Sequence, residues 1–481
     1  MWRRYLIFLS LRRKGDRMGK YFGTDGFRGE ANVTLTSSHA YKIGRFLGHY
    51  YSAIAREREH KARARIVIGK DTRLSSYMLE YSLAAGIAAS GADVYMLHVI
   101  TTPGVSYVTR TEGFDAGVMI TASHNPYYDN GIKIVDSEGE KLDDGVTALI
   151  EDYLDAEGDT APLATGGEIG RIVDHVSGRN RYVGYLISLA AHSYSGMKIG
   201  IDAANGAAFT IAEAVFSALG AEIHSIGNEP SGTNVNLECG STHIEKLAAL
   251  VHQSSLDLGF AFDGDADRCI AVDENGEVTD GDKIMYILAK SMKRRGMLDR
   301  DTVALTVMSN GGLVKSLERL GITASITRVG DRFVYERMQS EGYSLGGEQS
   351  GHVIIKKYAT TGDGILTAIM LCEQMREMKS SLGSLAKDIM IYPQHTENVR
   401  VRDKRAVMND SEVIRELRAV EDEIGDDGRV LLRESGTENV IRIMVEYKEK
   451  GACVRFATRI AEKIAMGGHV ENDKHNNCRS I

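Results

Sequence analysis

A chain of 481 residues is long enough for about three domains at roughly 150 residues each, which excludes a single small binding module. Hydrophobic residues make up 43% and charged residues 26%, a balance that fits neither a disordered polymer nor a membrane protein. The 58 Lys and Arg against 66 Asp and Glu give a net charge of −8, the wrong sign for wrapping nucleic acid, so any anionic ligand needs a local basic site. High glycine (51) with low proline (5) suits many tight turns between strands and helices. Five scattered cysteines, Cys239, Cys269, Cys372, Cys453 and Cys478, form no CxxC pair and indicate a reducing cytoplasm.

The first 17 residues carry six basic and one acidic side chain around a short apolar run, Tyr5 to Leu11. The run is too short to span a bilayer and lacks a small-residue cleavage site, so residues 1–17 are predicted to be an extension, disordered or lying upstream of a start at Met18. Strand-length apolar runs then alternate with amphipathic helices, the pattern of parallel sheets with crossover helices. In the first block Ile66 to Ile68 reads as a strand, Ser75 to Ser90 as a helix, and Asp93 to Ile100 and Ala116 to Ile120 as strands. The second block repeats the scheme with Lys198 to Ile201, a helix over Gly206 to Leu219, Glu222 to Ile226 and Leu258 to Phe262. A third follows with Val303 to Val307, a helix over Gly311 to Leu320, and Thr323 to Val329. The last block differs: strand Asn398 to Arg402, helix Asp410 to Ile424, strands Arg429 to Leu432 and Val440 to Tyr447, helix Ala452 to Met466. The expected fold class is α/β, with three similar doubly wound α/β domains at 18–175, 176–277 and 278–390, a smaller C-terminal α+β domain at 391–467, and a mobile tail at 468–481.

Four loops carry chemistry. Asp263-Gly264-Asp265-Ala266-Asp267-Arg268 places three carboxylates at alternate positions, an oxygen-only set that suits magnesium or calcium. An EF-hand needs glycine where Arg268 stands and helical flanks where strands are predicted. Thr121-Ala122-Ser123-His124-Asn125-Pro126 follows a buried strand and offers a hydroxyl, an imidazole and an amide. A serine-hydrolase elbow would have glycines where Thr121 and Asn125 stand, so acyl chemistry is not expected, and by itself the segment also reads as an ordinary turn. Gly346-Gly347-Glu348-Gln349-Ser350-Gly351-His352 can hydrogen-bond several adjacent hydroxyls, as on a sugar ring, or form a plain turn. Arg433-Glu434-Ser435-Gly436-Thr437-Glu438 with Arg442 reads as a phosphate cradle or as a hairpin with surface ion pairs. No Walker or complete dinucleotide fingerprint is present.

Taken in order, and with Gly23-Thr24-Asp25-Gly26-Phe27-Arg28-Gly29 and Asp129-Asn130-Gly131-Ile132-Lys133, these loops resemble the α-D-phosphohexomutase family over nearly the whole span from Met18 to about Met466. Gly232-Thr233-Asn234, Cys239 to His243 and Arg328 to Arg332 are similar to its glucosamine branch rather than to mannose or glucose mutases. The resemblance implies three doubly wound domains and a smaller fourth around a central cleft. It implies that Ser123 is the phosphoserine and that Asp263, Asp265 and Asp267, with the Ser123 phosphate, hold one magnesium ion. Arg28, Lys133, Arg268 and His352 would surround the transferring group as charge stabilisers or proton carriers. Glu348, Ser350, Gly330 and Asp331 would bind the sugar, and Arg433, Ser435, Gly436, Thr437 and Arg442 the phosphate that does not react. The implied substrate is a hexosamine phosphate, with glucosamine or glucose 1,6-bisphosphate as a candidate priming agent. A priming kinase and a second copy of the chain are candidate partners; nucleic acid and membrane are not. A broader hexose mutase and a metal-dependent sugar phosphatase are the alternatives.

Overall fold

The computed structural model describes residues 19–23, 25–58, 63–435 and 439–470. The predicted extension at 1–17, the tail from 471 onward, and Gly436 and Thr437 of the expected phosphate cradle lie outside the described residues. The chain divides into two compact units. One comprises the chain up to Met308 together with Ile322–Lys387, the other Ser309–Gly321 together with the chain from Asp388 onward.

The first unit repeats one sheet pattern three times. In its first sheet Arg65–Lys70 pairs in parallel with Asp93–Val99 on one side and Ala116–Ile120 on the other, and Ala116–Ile120 pairs antiparallel with a return strand, Asp129–Asp136. The second sheet places Lys198–Asp202 between Glu222–Ile226 and Leu258–Phe262, with Cys269–Val272 as the return strand. The third places Thr302–Thr306 between Thr323–Thr327 and Leu345–Gly347, with Val353–Ile355 returning. Each therefore has the order return, third, first, second. The first sheet is extended to seven strands and the second to five. The third strands Ala116–Ile120 and Leu258–Phe262 are buried throughout. Coverage on both faces explains why they read as continuous apolar runs rather than alternating ones.

Two elements depart from expectation for a visible reason. The helix predicted over Gly206 to Leu219 runs only over Ile211–Ala218. Residues before it dock onto the acidic loop instead: the Ala207 N–H donates to the Gly264 carbonyl at 2.8 Å, and a Cβ at Gly206 would lie 2.5 Å from that oxygen. A long helix, Ser37–Arg58, stands where no element is predicted. Gly44 and Gly48 dilute its apolar stripe, yet a Cβ on Gly44 would meet the Leu83 carbonyl at 2.3 Å, so the missing side chain permits close approach to the helix Leu74–Ala89. Ile43, Leu47, Leu83 and Ile87 fill that contact and continue into Ile68, Val94 and Val118 of the sheet.

In the second unit Val440–Tyr447 lies between Gln394–Arg400 and Gly428–Glu434, both antiparallel to it. Helices Ser411–Ile424 and Lys450–Met466 supply Val413, Val420, Phe456 and Ile460 to a core with Ile441 and Ile443. The helix Gly311–Arg319, which follows the first strand of the third repeat, belongs to this unit. Its N-cap Asn310 accepts from Gly312 N at 2.9 Å and exchanges hydrogen bonds with the Tyr392 main chain.

Asp202 ends the first strand of the second sheet, where its buried carboxylate accepts the N–H groups of Ala204 at 2.9 Å and Gly240 at 2.7 Å. Burial pushes its carboxyl up to about 6, against those two donors. A raised folded-state value means that its contribution to stability is complete below the unfolded value, near 4, and is lost as pH rises through about 6. Asp202→Asn removes this loss. Denaturation series should show the wild-type advantage over the variant shrinking by roughly 1–3 kcal/mol between pH 4 and pH 7.

Candidate active site

The chemistry-bearing loops of the first unit occupy one topological position. Thr121–Pro126, Asp263–Arg268 and Glu348–His352 each join the third strand of a repeat to its return strand. Two of them touch. Ser123 Oγ donates to Asp263 Oδ2 at 2.6 Å and lies 3.3 Å from His124 Nδ1. A Cβ on Gly264 would sit 2.5 Å from the Ser123 carbonyl oxygen, so the approach requires glycine there. Burial, then Arg268 and Arg28, hold His124 down at about 4, and the ring is neutral at pH 7.

Asp263, Asp265 and Asp267 are buried, and one oxygen from each lies within 4.8 Å of the others. The carboxylates are not left to repel one another. Lys133 Nζ, on the return strand of the first repeat, donates to Asp265 Oδ2 at 2.9 Å and Asp267 Oδ2 at 3.3 Å, and lies 3.3 Å from Asp25 Oδ1. Thr102 Oγ1 donates to Asp265 Oδ2, and the Arg268 N–H to Asp263 Oδ1 at 3.2 Å. Burial works against the Lys133 charge, but Asp25, Asp265 and Asp267 outweigh it and hold the ammonium well above its usual range. For Asp263 the balance runs the other way: burial, then Asp267 and Asp265, push its carboxyl up. Asp265 Oδ1 and Asp267 Oδ1 are buried and accept no hydrogen bond from the described residues. Crowded carboxylate oxygens with unused lone pairs fit a hard divalent cation such as magnesium.

A second set of charges adjoins the first. Asp25 pairs with Arg28, and burial notwithstanding, Lys133, Lys141 and Arg28 hold its carboxyl far below the usual range. Lys141 Nζ lies 2.6 Å from Asp331 Oδ2 and 3.7 Å from Asp25 Oδ1. His352 Nε2 is 3.6 Å from Asp331 and 3.2 Å from the Gly362 N, and its Nδ1 is buried with no hydrogen-bond partner among the described residues. Arg28 Nε and Arg268 Nε are likewise buried donors with no acceptor among the described residues. The Gly330 N–H donates to Glu348 Oε1 at 3.0 Å, and Ser350 is exposed. The Gly351 carbonyl accepts from Cys269 N at 3.0 Å, tying this loop to the strand that leaves the acidic loop.

In the second unit Arg433 and Arg442 face each other across neighbouring strands. Burial, then the Arg442 charge, hold the Arg433 guanidinium below its usual value, an arrangement that an anion relieves. Ser435 is buried, and its carbonyl accepts from Lys404 Nζ at 2.7 Å.

Family models described as phosphoglucomutase/phosphomannomutase match the chain in four stretches: domain I over 19–161, domain II over 180–276, domain III over 280–392 and the C-terminal domain over 397–463. The chain belongs to the phosphoglucomutase/phosphomannomutase family. It is 55% identical over 454 residues to the phosphoglucosamine mutase of Lachnoclostridium phytofermentans, covering 94% of this chain and all of that one. It is 49% identical over 447 residues to the phosphoglucosamine mutase of Oceanobacillus iheyensis, covering 93% and 99%. Among solved structures, a phosphoglucomutase/phosphomannomutase family protein from Burkholderia thailandensis has the same fold, with TM-score 0.74 at 24% identity and coverage of 94% and 98%. The Aspergillus fumigatus N-acetylphosphoglucosamine mutase, solved with GlcNAc-6P and magnesium, gives 0.65 at 16% identity and coverage of 97% and 99%.

Several residues at the site carry no role in the sequence reading: Asp25, Lys141, Thr102, Asp71, Arg73 and Asn236. Only Asp25 lies in a stretch singled out there. Asp71 and Arg73 had the one available signal, a polar run directly after a buried strand.

Gly264→Ala should separate the two touching loops. Because the atom it meets is a main-chain oxygen, the expected cost is about 1–3 kcal/mol, read as a lowered thermal midpoint.

Proposed function

We propose that the protein is a phosphoglucosamine mutase, an intramolecular phosphotransferase of the isomerase class. It interconverts glucosamine 6-phosphate and glucosamine 1-phosphate through a phosphoserine and a 1,6-bisphosphate, serving UDP-N-acetylglucosamine and cell-wall precursor synthesis in the cytoplasm. The covalent step is carried by one observation, the Ser123 hydroxyl 2.6 Å from Asp263 within the acidic loop. The choice of sugar rests on the relatives of about half identity named for it.

In this reading phospho-Ser123 gives its phosphoryl group to the free hydroxyl of glucosamine 6-phosphate: the P–O bond to Ser123 breaks and one to the sugar forms. The sugar hydroxyl gives up its proton in that step and the departing serine oxygen takes one up, so Ser123 is a free hydroxyl while the bisphosphate is bound, and the second transfer reverses this balance. The bisphosphate then turns end for end and returns its other phosphate to Ser123. Asp263, Asp265, Asp267 and the Ser123 phosphate would hold magnesium, which when bound supplies positive charge beside the transferring group. Lys133 remains an ammonium at neutral pH, so it stabilises charge rather than accepting a proton. Arg28 and Arg268, each with a buried donor to spare, suit the equatorial phosphoryl oxygens. His352 serves as a charge stabiliser or proton carrier, and Glu348, Ser350, Gly330 and Asp331 line the sugar. Arg433, Ser435 and Arg442, with Gly436 and Thr437, grip the distal phosphate. Ser123 is first loaded from glucosamine or glucose 1,6-bisphosphate or by a kinase.

Ser123→Ala should fold normally, never gain the mass of a phosphoryl group and have no mutase activity; full activity would end the covalent scheme. Asp265→Ala should lose turnover and magnesium response together, whereas an unchanged response would take the loop out of the metal site. Comparing glucosamine, glucose and mannose 6-phosphates tests the sugar, and steady release of inorganic phosphate would identify a phosphatase instead.

A further inference from the structure

Arg73 is fully buried, and its guanidinium carries five N–H donors. Each has an acceptor. Nε donates to Asp71 Oδ2 at 2.7 Å, Nη2 to the carbonyls of Ser123 at 2.8 Å and Asn125 at 2.9 Å, and Nη1 to the carbonyls of Pro126 and of Asp129, the latter at 3.1 Å. Four of the five acceptors are thus main-chain oxygens of the single loop Ser123–Asp129. Asp71 completes the arrangement. Its Oδ1 accepts from Arg73 N at 3.0 Å and Ser76 Oγ at 2.8 Å, and its Oδ2 also accepts Thr121 Oγ1 at 2.8 Å. Thr121 Oγ1 accepts the Ser123 N–H at 3.0 Å. Both main-chain polar groups of Ser123 are therefore tied to one buried ion pair, and Asn236 Nδ2 adds a second donor to the Ser123 carbonyl at 2.8 Å.

Ser123 has φ +53, a left-handed conformation that a non-glycine residue adopts at a cost and keeps only where its surroundings over-determine it. We propose that Arg73, oriented by Asp71, is a positioning residue that holds Ser123 in this conformation, so that its Oγ is aimed at the acidic loop with or without a phosphoryl group on it. None of these bonds uses the serine hydroxyl, so loading and unloading leave them intact. The inference rests on the reading of Ser123 as the phosphoryl carrier.

Arg73→Lys keeps a cation against Asp71 but supplies at most three donors, too few for the loop. Wild-type and variant protein would each be loaded from glucose 1,6-bisphosphate until intact mass shows the phosphoryl group, then mixed with glucosamine 6-phosphate and magnesium in single turnover. The expected result is a transfer rate constant at saturating sugar about 10–100-fold lower in the variant, with the half-saturating sugar concentration unchanged. A broadened or split phosphorus resonance of the phosphoserine should accompany it. Should Arg73→Lys fail to fold, Thr121→Val, which keeps the Asp71–Arg73 ion pair but removes the hydroxyl that links Asp71 to the Ser123 N–H, should lower the same rate constant about 10-fold. A folded variant whose rate constant stays within a factor of about two of wild type, or whose defect lies wholly in half-saturation, overturns the inference. Wild-type protein that never acquires the phosphoryl mass removes the reading beneath it, whereas normal wild-type transfer beside an unaffected variant removes this inference alone.

Discussion

Everything at the candidate site depends on two loops meeting at van der Waals distance, one from each of two repeats. Gly264 lies against the Ser123 carbonyl, and Asp263 accepts the Ser123 hydroxyl. The contact is possible because both loops leave the same end of equivalent strands, so packing two repeats brings like ends together. Gly206 makes the matching concession on the far side of the acidic loop, which is why its helix starts late. A loop pinned between two main chains can lose little conformational entropy on binding, which is what a site for a transferring phosphoryl group requires.

Charge is organised around the same contact. Four buried or half-buried carboxylates, Asp25, Asp263, Asp265 and Asp267, stand with Lys133, Arg28 and Arg268 in a small volume. Buried ion pairs of this kind seldom repay their desolvation in stability, so their presence argues for use rather than for folding. The division of labour is visible in the directions of the shifts. Lys133 is fixed as a cation by its neighbours, whereas Asp263 is driven toward its neutral form by burial and by Asp267 and Asp265. An added divalent charge would reverse the second without needing to change the first.

Much of this was legible in the sequence because the third strand of each repeat is buried on both faces. Ala116–Ile120 and Leu258–Phe262 were bounded to the residue from their apolar runs, and the polar loops after them stood out by contrast. The acidic triad could be read from spacing alone, since alternate carboxylates with small residues between them have few structural uses. What could not be read was partnership. Lys141 reaching Asp331, or Thr102 reaching Asp265, depends on which strand ends the tertiary fold brings together. The helix Gly311–Arg319 shows the same limit at the level of domains: in sequence it follows the first strand of the third repeat, while it, its cap Asn310 and the Tyr392 main chain bonded to that cap all lie in the second unit.

In the proposed reaction Ser123 alternates between a neutral hydroxyl and a group carrying roughly two negative charges. The hydrogen bond from its Oγ to Asp263 exists only in the first state and must be remade every cycle. A loop held by that bond alone would relax whenever the phosphoryl group arrived, and reorganisation would be charged to each transfer. Bonds from Arg73, Thr121 and Asn236 to the main chain of the loop are indifferent to what the side chain carries. Strain at a left-handed serine is then sustained by partners that do not take part in the chemistry, and the loop presents one geometry to both halves of a reversible exchange. That symmetry matters more here than in a one-way reaction, because the same serine must be as good an acceptor as it is a donor.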